Sequence, residues 1–259
     1  MDNKINDCEV NNEQSLKIDN TSKDVIILAI ESSAITASVA IITDDTLTAE
    51  YTINYKKTHS QTLLPMIDEI CKMTETDVNT VDLIAVSVGP GSFTGLRIGA
   101  ATGKGIAMVT KSSMVAVPTL KAMAYNFYGN TNAIICPIMD ARRNHLYTAL
   151  YRFREDGSLE CIIDKLLLSY EELCEKLNNI TDKIIFTGDG IEPAKEFFEN
   201  NLSCNYEYAP AHLRTQKAGS VAMAGLDMYK NGEVIDAAQL KPDYLRPSQA
   251  ERERMDKHE

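Results

Sequence analysis

Short apolar runs alternate with longer amphipathic stretches between residues 24 and 119. Runs of apolar and β-branched residues predict three strands, in DVIILAIESS (24–33), ASVAII (37–42) and LTAEYTINY (47–55). Because the connections between them are short, we expect an antiparallel meander. The pattern then predicts a helix from about Ser60 to Met73, a buried strand at 81–88, a helix at 91–109 and a strand at 114–119.

The same order of elements recurs in the second half of the chain. Strands are predicted at 133–139, 145–153 and 158–168, followed by a helix at about 169–178, a strand in KIIFTGDG (183–190) and a further helix. Each half opens with a strand that ends in an acid, Glu31 in the first and Asp140 in the second. A repeat on this scale predicts an α/β protein with the duplicated βββαβα fold of actin-like ATPases, the RNase H-like class, built as two subdomains.

The predicted subdomains cover residues 25–115 and 116–232. The second is closed by a helix at 215–230 that ends at Asn231-Gly232. Residues 1–24 are rich in Asn and Asp and nearly free of aromatic residues, so we predict a disordered N-terminal extension. Residues 233–259 predict an extended tail that becomes highly charged.

Composition narrows the functional classes. The net charge of −11 disfavours direct binding to nucleic acid and suits a protein partner better, because affinity for nucleic acid comes mainly from neutralised phosphates. No apolar run approaches the roughly 20 residues of a membrane span, and no export signal is visible, so we expect a cytoplasmic protein with no membrane contact. Its six cysteines form no C-x-x-C pair and are interpreted as reduced thiols.

The segment SVGPGSFTGLRIGA (87–100) first suggests a phosphate-binding loop. Its glycine spacing matches neither G-x-x-x-x-G-K-[ST] nor G-x-G-x-x-G, so both standard phosphate motifs are excluded. As a helix, it can be capped by Ser92 or Thr94, and Gly95, Gly99 and Gly103 lie on one face. That face predicts close approach either of another helix or of the chain's own sheet, and the spacing leaves both alternatives open.

Two neighbouring helices together suggest an interaction surface. The stretch HSQTLLPMIDEICKM (59–73) carries an apolar arc wider than one stripe facing the core requires. A helix that is apolar on more than one side is either fully buried or paired across an interface. With the glycine-striped helix next along the chain, the pattern favours a helical docking surface.

Candidate catalytic residues are few. Glu31, Asp140 and the Gly188-Asp189 pair at a strand–turn–helix junction are candidates for a nucleotide-facing cleft, although each acid can equally be a strand-end or helix-cap residue. The four histidines show no metal-ligand spacing, since Leu63 stands four residues after His59. Ser92 does not sit in G-x-S-x-G. We therefore expect no catalytic residue and no metal site, and weak ATP or ADP binding stays open.

Five blocks in order resemble the TsaB (YeaZ) family. They are LAIESSAITASVAI (28–41), HSQTLLPMID (59–68), VGPGSFTGLRIG (88–99), MDARRNHLYTALY (139–151) and PDYLRP (242–247). This family is the smaller actin-like subunit of the bacterial machinery that makes N6-threonylcarbamoyladenosine in tRNA. The resemblance runs from about Val25 to Arg246, and one departure is Glu31, where the family usually has Asp.

The resemblance implies a non-catalytic subunit that pairs with and activates the larger paralogue TsaD, which carries the metal and the catalytic cleft. It also implies a self-dimer, a TsaE ATPase that joins the complex, a functional link to TsaC, and access to tRNA only through the complex. The contacts would come from helices 59–73 and 92–108, with these candidate interface residues: His59, Leu63, Leu64, Ile67, Ile70, Gly95, Leu96, Gly99 and Gly103. The alternative is a stand-alone ATP-dependent enzyme of the actin-like class. A peptidase has neither nucleophile nor metal pattern to support it.

Overall fold

The computed structural model describes residues 24–246, so residues 1–23 of the predicted extension and residues 247–259 of the predicted tail lie outside it. The first half follows the predicted order. Its elements are β1 (Ile26–Glu31), β2 (Ala37–Thr43), β3 (Thr46–Ile53), α1 (His59–Met73), β4 (Leu83–Gly89), α2 (Phe93–Thr110) and β5 (Ser113–Pro118). Among residues 24–246, no helix combines the length and apolarity needed to cross a bilayer.

The second half repeats this order. After a short helix, α3 (Thr119–Ala124), come β6 (Ile134–Asp140), β7 (His145–Phe153), β8 (Leu159–Ser169), α4 (Tyr170–Leu177), β9 (Ile184–Thr187), α5 (Ile191–Asn201) and β10 (Tyr206–Tyr208). A last helix, α6 (Ala218–Lys230), ends at Asn231 and Gly232 as predicted. The sequence pattern did not predict α3 and β10, which are short.

Strand order confirms the duplication. The first sheet runs β3-β2-β1-β4-β5 and the second β8-β7-β6-β9-β10, so each strand has a counterpart at the same place. In both sheets the first three strands are an antiparallel meander, the fourth strand pairs in parallel with the opening strand, and the fifth pairs in parallel with the fourth. This is the predicted βββαβα arrangement in two lobes.

The first sheet is covered on both faces. Alternate residues of β1 point to opposite sides, with Ile27 and Ala29 in one core and Leu28 and Ile30 in the other. The first core includes the apolar face of α6, and the second lies under α1 and α2. Burial on both faces explains why β1 and β4 read as continuous apolar runs instead of alternating ones.

The predicted lobe boundary is therefore wrong for one element. Residues 116–232 were expected to form the second lobe, but α6 packs on β1, β2, β4 and β5 of the first sheet. Residues 233–246 also return to the first lobe, where Ile235 bridges Met114 of the edge strand β5. Sequence order could not show this, because a helix with one apolar face fits either sheet.

The glycine face of α2 lies against the chain's own sheet, which decides between the two alternatives for this helix. The helix is capped by Ser92, whose Oγ accepts from the amide of Gly95 at 3.3 Å. A Cβ at Gly99 would overlap Ser32 Oγ, and one at Gly103 would lie 2.7 Å from Val86 Cγ2. The absent side chains let α2 pack closely on β1 and β4.

Two glycines on the same helix give a matched test of this packing. Gly103→Ala places a methyl group against Val86, and we expect it to lower the free energy of unfolding by about 1–3 kcal/mol through overpacking. At Gly105 the described residues leave open space around an added Cβ, so Gly105→Ala should raise it by up to ~1 kcal/mol through helix propensity. Urea denaturation of both variants checks the pair, and equal effects would contradict the assigned orientation of α2.

Candidate functional site

A cleft of about 670 Å³ lies between the two lobes. It is formed where the central strands end, because the loops after β1 and β4 face those after β6 and β9. Such crevices at the carboxyl ends of parallel strands are the usual ligand sites of α/β folds. Its lining comes from both lobes: Ser33, Ala34, Ile35, Gly91, Ser92, Phe93, Met139, Asp140, Ala141, Arg142, Tyr147, Asp189, Pro193 and Arg246.

Glu31 does not line this cleft. Its side chain is fully buried beneath the β1–β2 loop, where Oε1 accepts from the amide of Ser33 at 2.6 Å. Its Oε2 finds no hydrogen-bond partner among the described residues. Burial raises the pKa of this carboxyl above its ordinary value, although the bond from Ser33 opposes the shift. The candidate assignment of Glu31 to a nucleotide-facing position is therefore not supported by its location.

Asp140 lines the cleft but is used to fix a hairpin. Its Oδ1 accepts from the amide of Arg142 at 2.8 Å, and its Oδ2 lies 3.6 Å from the Arg142 guanidinium. Arg142, Arg143 and Asn144 all have positive φ, between 54° and 68°. Three successive non-glycine residues in the left-handed region need outside support, and the carboxylate of Asp140 provides part of it.

Asp189 faces the cleft, whereas Gly188 does not. Asp189 is an exposed residue that lines the cleft, and the pKa of its carboxyl is raised by loss of water and by the nearby charge of Asp140. Solvent on the exposed side of Asp189 screens its repulsion from Asp140. Gly188 is buried, and a Cβ there would overlap the carbonyl of Ile138, so it packs on β6 instead of facing the cleft.

A nucleotide in this cleft would need free main-chain amides for its phosphates. The amides closest to the strand ends are already used within the chain. Ser92 N donates to Ser33 O at 2.6 Å, Ser33 N donates to Glu31, and Gly190 N donates to Ile138 O at 3.1 Å. These three amides are therefore not free to bind a phosphate, although the cleft has the volume for a small molecule.

A second concavity lies between α1 and α2 on the outer surface of the first lobe. This docking groove has a volume of about 690 Å³ and mostly apolar walls. Leu64, Ile67 and Cys71 line it from α1, and Gly105, Ile106 and Val109 line it from α2. Val109 is 76% exposed and Leu64 58% exposed, and Met73 and Met108 are also exposed on α1 and α2. Contiguous exposed apolar side chains of this kind mark an interaction site.

Only part of the predicted interface faces the groove. Leu64 and Ile67 line it, although Ile67 is only 5% exposed. The other seven predicted interface residues are buried against the chain's own core: His59, Leu63, Ile70, Gly95, Leu96, Gly99 and Gly103. The pattern missed Ile106 and Val109, which line the groove from α2.

His59 has a local structural role. It begins α1, and its Nε2 lies 2.8 Å from the carbonyl oxygen of Ala34 in the β1–β2 loop. The ring also covers Gly95, where a Cβ would lie 3.0 Å from His59 Cδ2. Within residues 24–246, no group of three or more His, Cys, Asp or Glu side chains is arranged to hold a metal ion.

Burial of Glu31 predicts that the stability of the folded chain depends on pH. Because its pKa is raised in the folded chain, the folded state holds a proton that the unfolded state has lost, so this residue lowers stability as pH rises above about 4.5. Glu31→Gln removes the titration but keeps an oxygen acceptor for Ser33. We expect the variant to have a higher Tm than the natural chain, and the difference to grow from pH 4 to pH 8. Each kcal/mol of destabilisation that the substitution removes should add about 2–4 °C to the Tm.

Thermal denaturation at several pH values measures this, with Glu196→Gln on the exposed face of α5 as the control. The control should follow the natural chain at every pH. Parallel curves for Glu31→Gln and the natural chain would contradict a buried carboxyl with a raised pKa.

Comparison with known proteins places the chain in a family. A family model described as TsaD, tRNA N6-adenosine threonylcarbamoyltransferase, matches residues 46–254. The chain is 32% identical to the Bacillus subtilis tRNA threonylcarbamoyladenosine biosynthesis protein TsaB, over 87% of this chain and 96% of that protein. It is 26% identical to the Escherichia coli protein of the same name, over 85% and 94%. YeaZ from Pseudomonas aeruginosa superposes with a TM-score of 0.72 at 23% identity, over 85% of this chain and all of that one. The chain therefore belongs to the TsaB (YeaZ) family and has its actin-like fold.

Proposed function

We propose that this chain is a non-catalytic subunit of the machinery that makes N6-threonylcarbamoyladenosine in tRNA, and that it pairs with and activates a larger TsaD-like paralogue. Membership of the TsaB family supports the pathway, since its relatives are named for the biosynthesis of this nucleoside. The observation that carries the pairing role is the docking groove between α1 and α2, a large apolar concavity on an otherwise acidic chain.

The shape of the groove explains how two actin-like chains pair. Gly105 leaves its floor without a side chain, and Leu64 and Val109 stand exposed on opposite walls. An apolar helix of the partner can lay its side chains between them, the helix-in-groove mode of recognition. Burial of these side chains on contact supplies the driving force, at about 25 cal/mol per Å² of apolar surface.

The rim of the groove adds selectivity. Asp68, Glu75 and Asp77 line it, against a single ion-paired lysine, Lys72, whose Nζ lies 2.5 Å from Asp68 Oδ2. A partner helix flanked by basic residues would fit this rim, while a second copy of the same acidic surface would meet repulsion. In this proposal the isolated chain forms a weaker homodimer through the same groove despite this repulsion, and the paralogue displaces it because it binds the groove more tightly.

The remaining components enter through the complex. A TsaC-like enzyme supplies the activated threonylcarbamoyl group, a TsaE-like ATPase joins the assembly, and tRNA is bound by the assembled complex. The net charge of −11 supports this division, because an acidic chain gains little from phosphate contacts of its own. The chain contributes a docking surface, and the transfer chemistry belongs to the partner.

Two groove variants test the pairing. Gly105→Leu fills the floor of the groove without touching the core, and Val109→Asp places a charge on its apolar wall. We expect each to weaken binding to the TsaD-like paralogue by about 2 kcal/mol or more, roughly 30-fold, and to lower nucleoside formation in a modification assay with all partners. Ile162→Asp, an exposed position on β8, is the control and should bind normally.

Gly99 is not a suitable position for testing the pairing, because a side chain there overlaps Ser32 and would disturb folding. Folded Gly105→Leu and Val109→Asp proteins that bind the paralogue with unchanged affinity would refute the groove as the contact. A modification assay that runs equally well without this chain would refute the proposed function itself.

The alternative, a stand-alone ATP-dependent enzyme, makes an opposite prediction. Because the amides of Ser33, Ser92 and Gly190 are already bonded within the chain, we expect titration calorimetry with ATP and magnesium to show no binding tighter than about 1 mM, a standard free energy weaker than about −4.1 kcal/mol. Micromolar binding that is lost in Asp140→Asn and Asp189→Asn would favour the enzyme and place nucleotide in the cleft.

A further inference from the structure

Residues 233–246, which follow α6, are anchored first in the first lobe. The amide of Ile235 donates to Met114 O at 2.9 Å, which extends the edge of the first sheet by one bridge. Leu240 is 1% exposed and belongs to the core beneath α1 and α2. This end of the segment is held by burial of an apolar side chain and by main-chain pairing.

Beyond Leu240 the segment reaches the second lobe. The amide of Asp243 donates to Val88 O at 2.7 Å at the end of β4, while its carboxylate pairs with Lys165 Nζ on β8. The side chain of Leu245 packs on the second-lobe core that contains Leu120 and Ala149. These contacts place residues 240–246 across the junction between the two sheets.

The same segment borders the cleft between the lobes. Arg246 lines the cleft, and its Nη1 donates to Ala141 O at 3.3 Å, in the hairpin that Asp140 supports. Tyr244 stacks on Phe93, the first residue of α2, with ring centroids 4.4 Å apart and planes at 15°. Its hydroxyl accepts from Arg97 Nε at 2.9 Å. One short stretch thus contacts the α2 end of the cleft in one lobe and the β6–β7 hairpin in the other.

A glycine at the end of β4 leaves room for this segment to pass. Gly89 has a φ of +130°, and a Cβ there would overlap the carbonyl of Asp243. A side chain at residue 89 would therefore push the segment away from β4. The motif PDYLRP, which helped identify the family, contains the residues that make the inter-lobe contacts: Asp243, Tyr244, Leu245 and Arg246.

We propose that residues 240–246 act as an inter-lobe clasp that holds the two lobes together and sets the width of the cleft. Its first-lobe end is permanent, because Leu240 is in the core. Its second-lobe end is releasable, because Lys165 and Asp243 are partly exposed and such pairs hold weakly. The clasp opens at Lys165 and Ala141, and the lobes then move apart about the two chain crossings next to α3 and α6.

A charge exchange tests the clasp in the full chain without any partner, so its result is independent of the proposed function. Spin labels at Ile35→Cys and Pro193→Cys, two exposed residues on opposite walls of the cleft, report the inter-lobe distance by double electron–electron resonance. Cys8, Cys71, Cys161 and Cys204 are replaced by Ser. Lys165→Glu should broaden the distance distribution and move it several ångströms outward, and adding Asp243→Lys should restore it.

Arg154→Glu is the matched control, because it breaks the Arg154–Glu160 ion pair within the β7–β8 hairpin but not the clasp. It should leave the distance unchanged. If Lys165→Glu fails to fold, Arg246→Ala removes the bond from the same segment to Ala141 in the second lobe and should widen the distribution. Distributions that superimpose on that of the natural chain for both variants, or a widening that the charge exchange fails to reverse, would overturn the proposal.

Discussion

The close contact between α2 and the first sheet is the constraint on which both the groove and the cleft depend. Gly95, Gly99 and Gly103 give the helix a face without side chains, and residues of β1 and β4 fill that space. A helix seated this way has one possible rotation about its axis. Its opposite face, with Gly105, Met108 and Val109, must then point outward. The docking groove exists because the glycines are turned in.

The same contact organises the cleft. The start of α2 carries Ser92 and Phe93 to the cleft wall, and Ser32 Oγ donates to Gly95 O at 2.9 Å, which ties the loop after β1 to the helix. Glu31 lies beneath this junction, where its carboxyl supports the loop through Ser33 N. The strand-end acid of the first half thus serves the internal structure of the loop.

The two lobes share a topology, but corresponding positions in them have different structural roles. In the first lobe, the strand-end acid is buried and the outer helices form a groove. In the second, Asp140 stays half-exposed and holds a strained hairpin that Arg246 contacts from the returning chain. The segment after α6 joins these two ends, so the duplicated halves behave as one unit through a contact that neither half contains in its own repeat.

The sequence by itself determined the order of elements, the duplication and the family, because apolar periodicity and the GPGSFTGLRIG block are local properties of the chain. It also offered Ser92 and Thr94 as caps of α2, of which the structure uses Ser92, and it named Asp140 and Asp189 as candidates for the cleft that both line. Only the tertiary structure decided that α6 covers the first sheet, that Glu31 lies under the cleft instead of in it, and that the glycines face inward. Each of these depends on which of two compatible surfaces a segment packs against, and that choice is made by contacts between residues far apart in the chain.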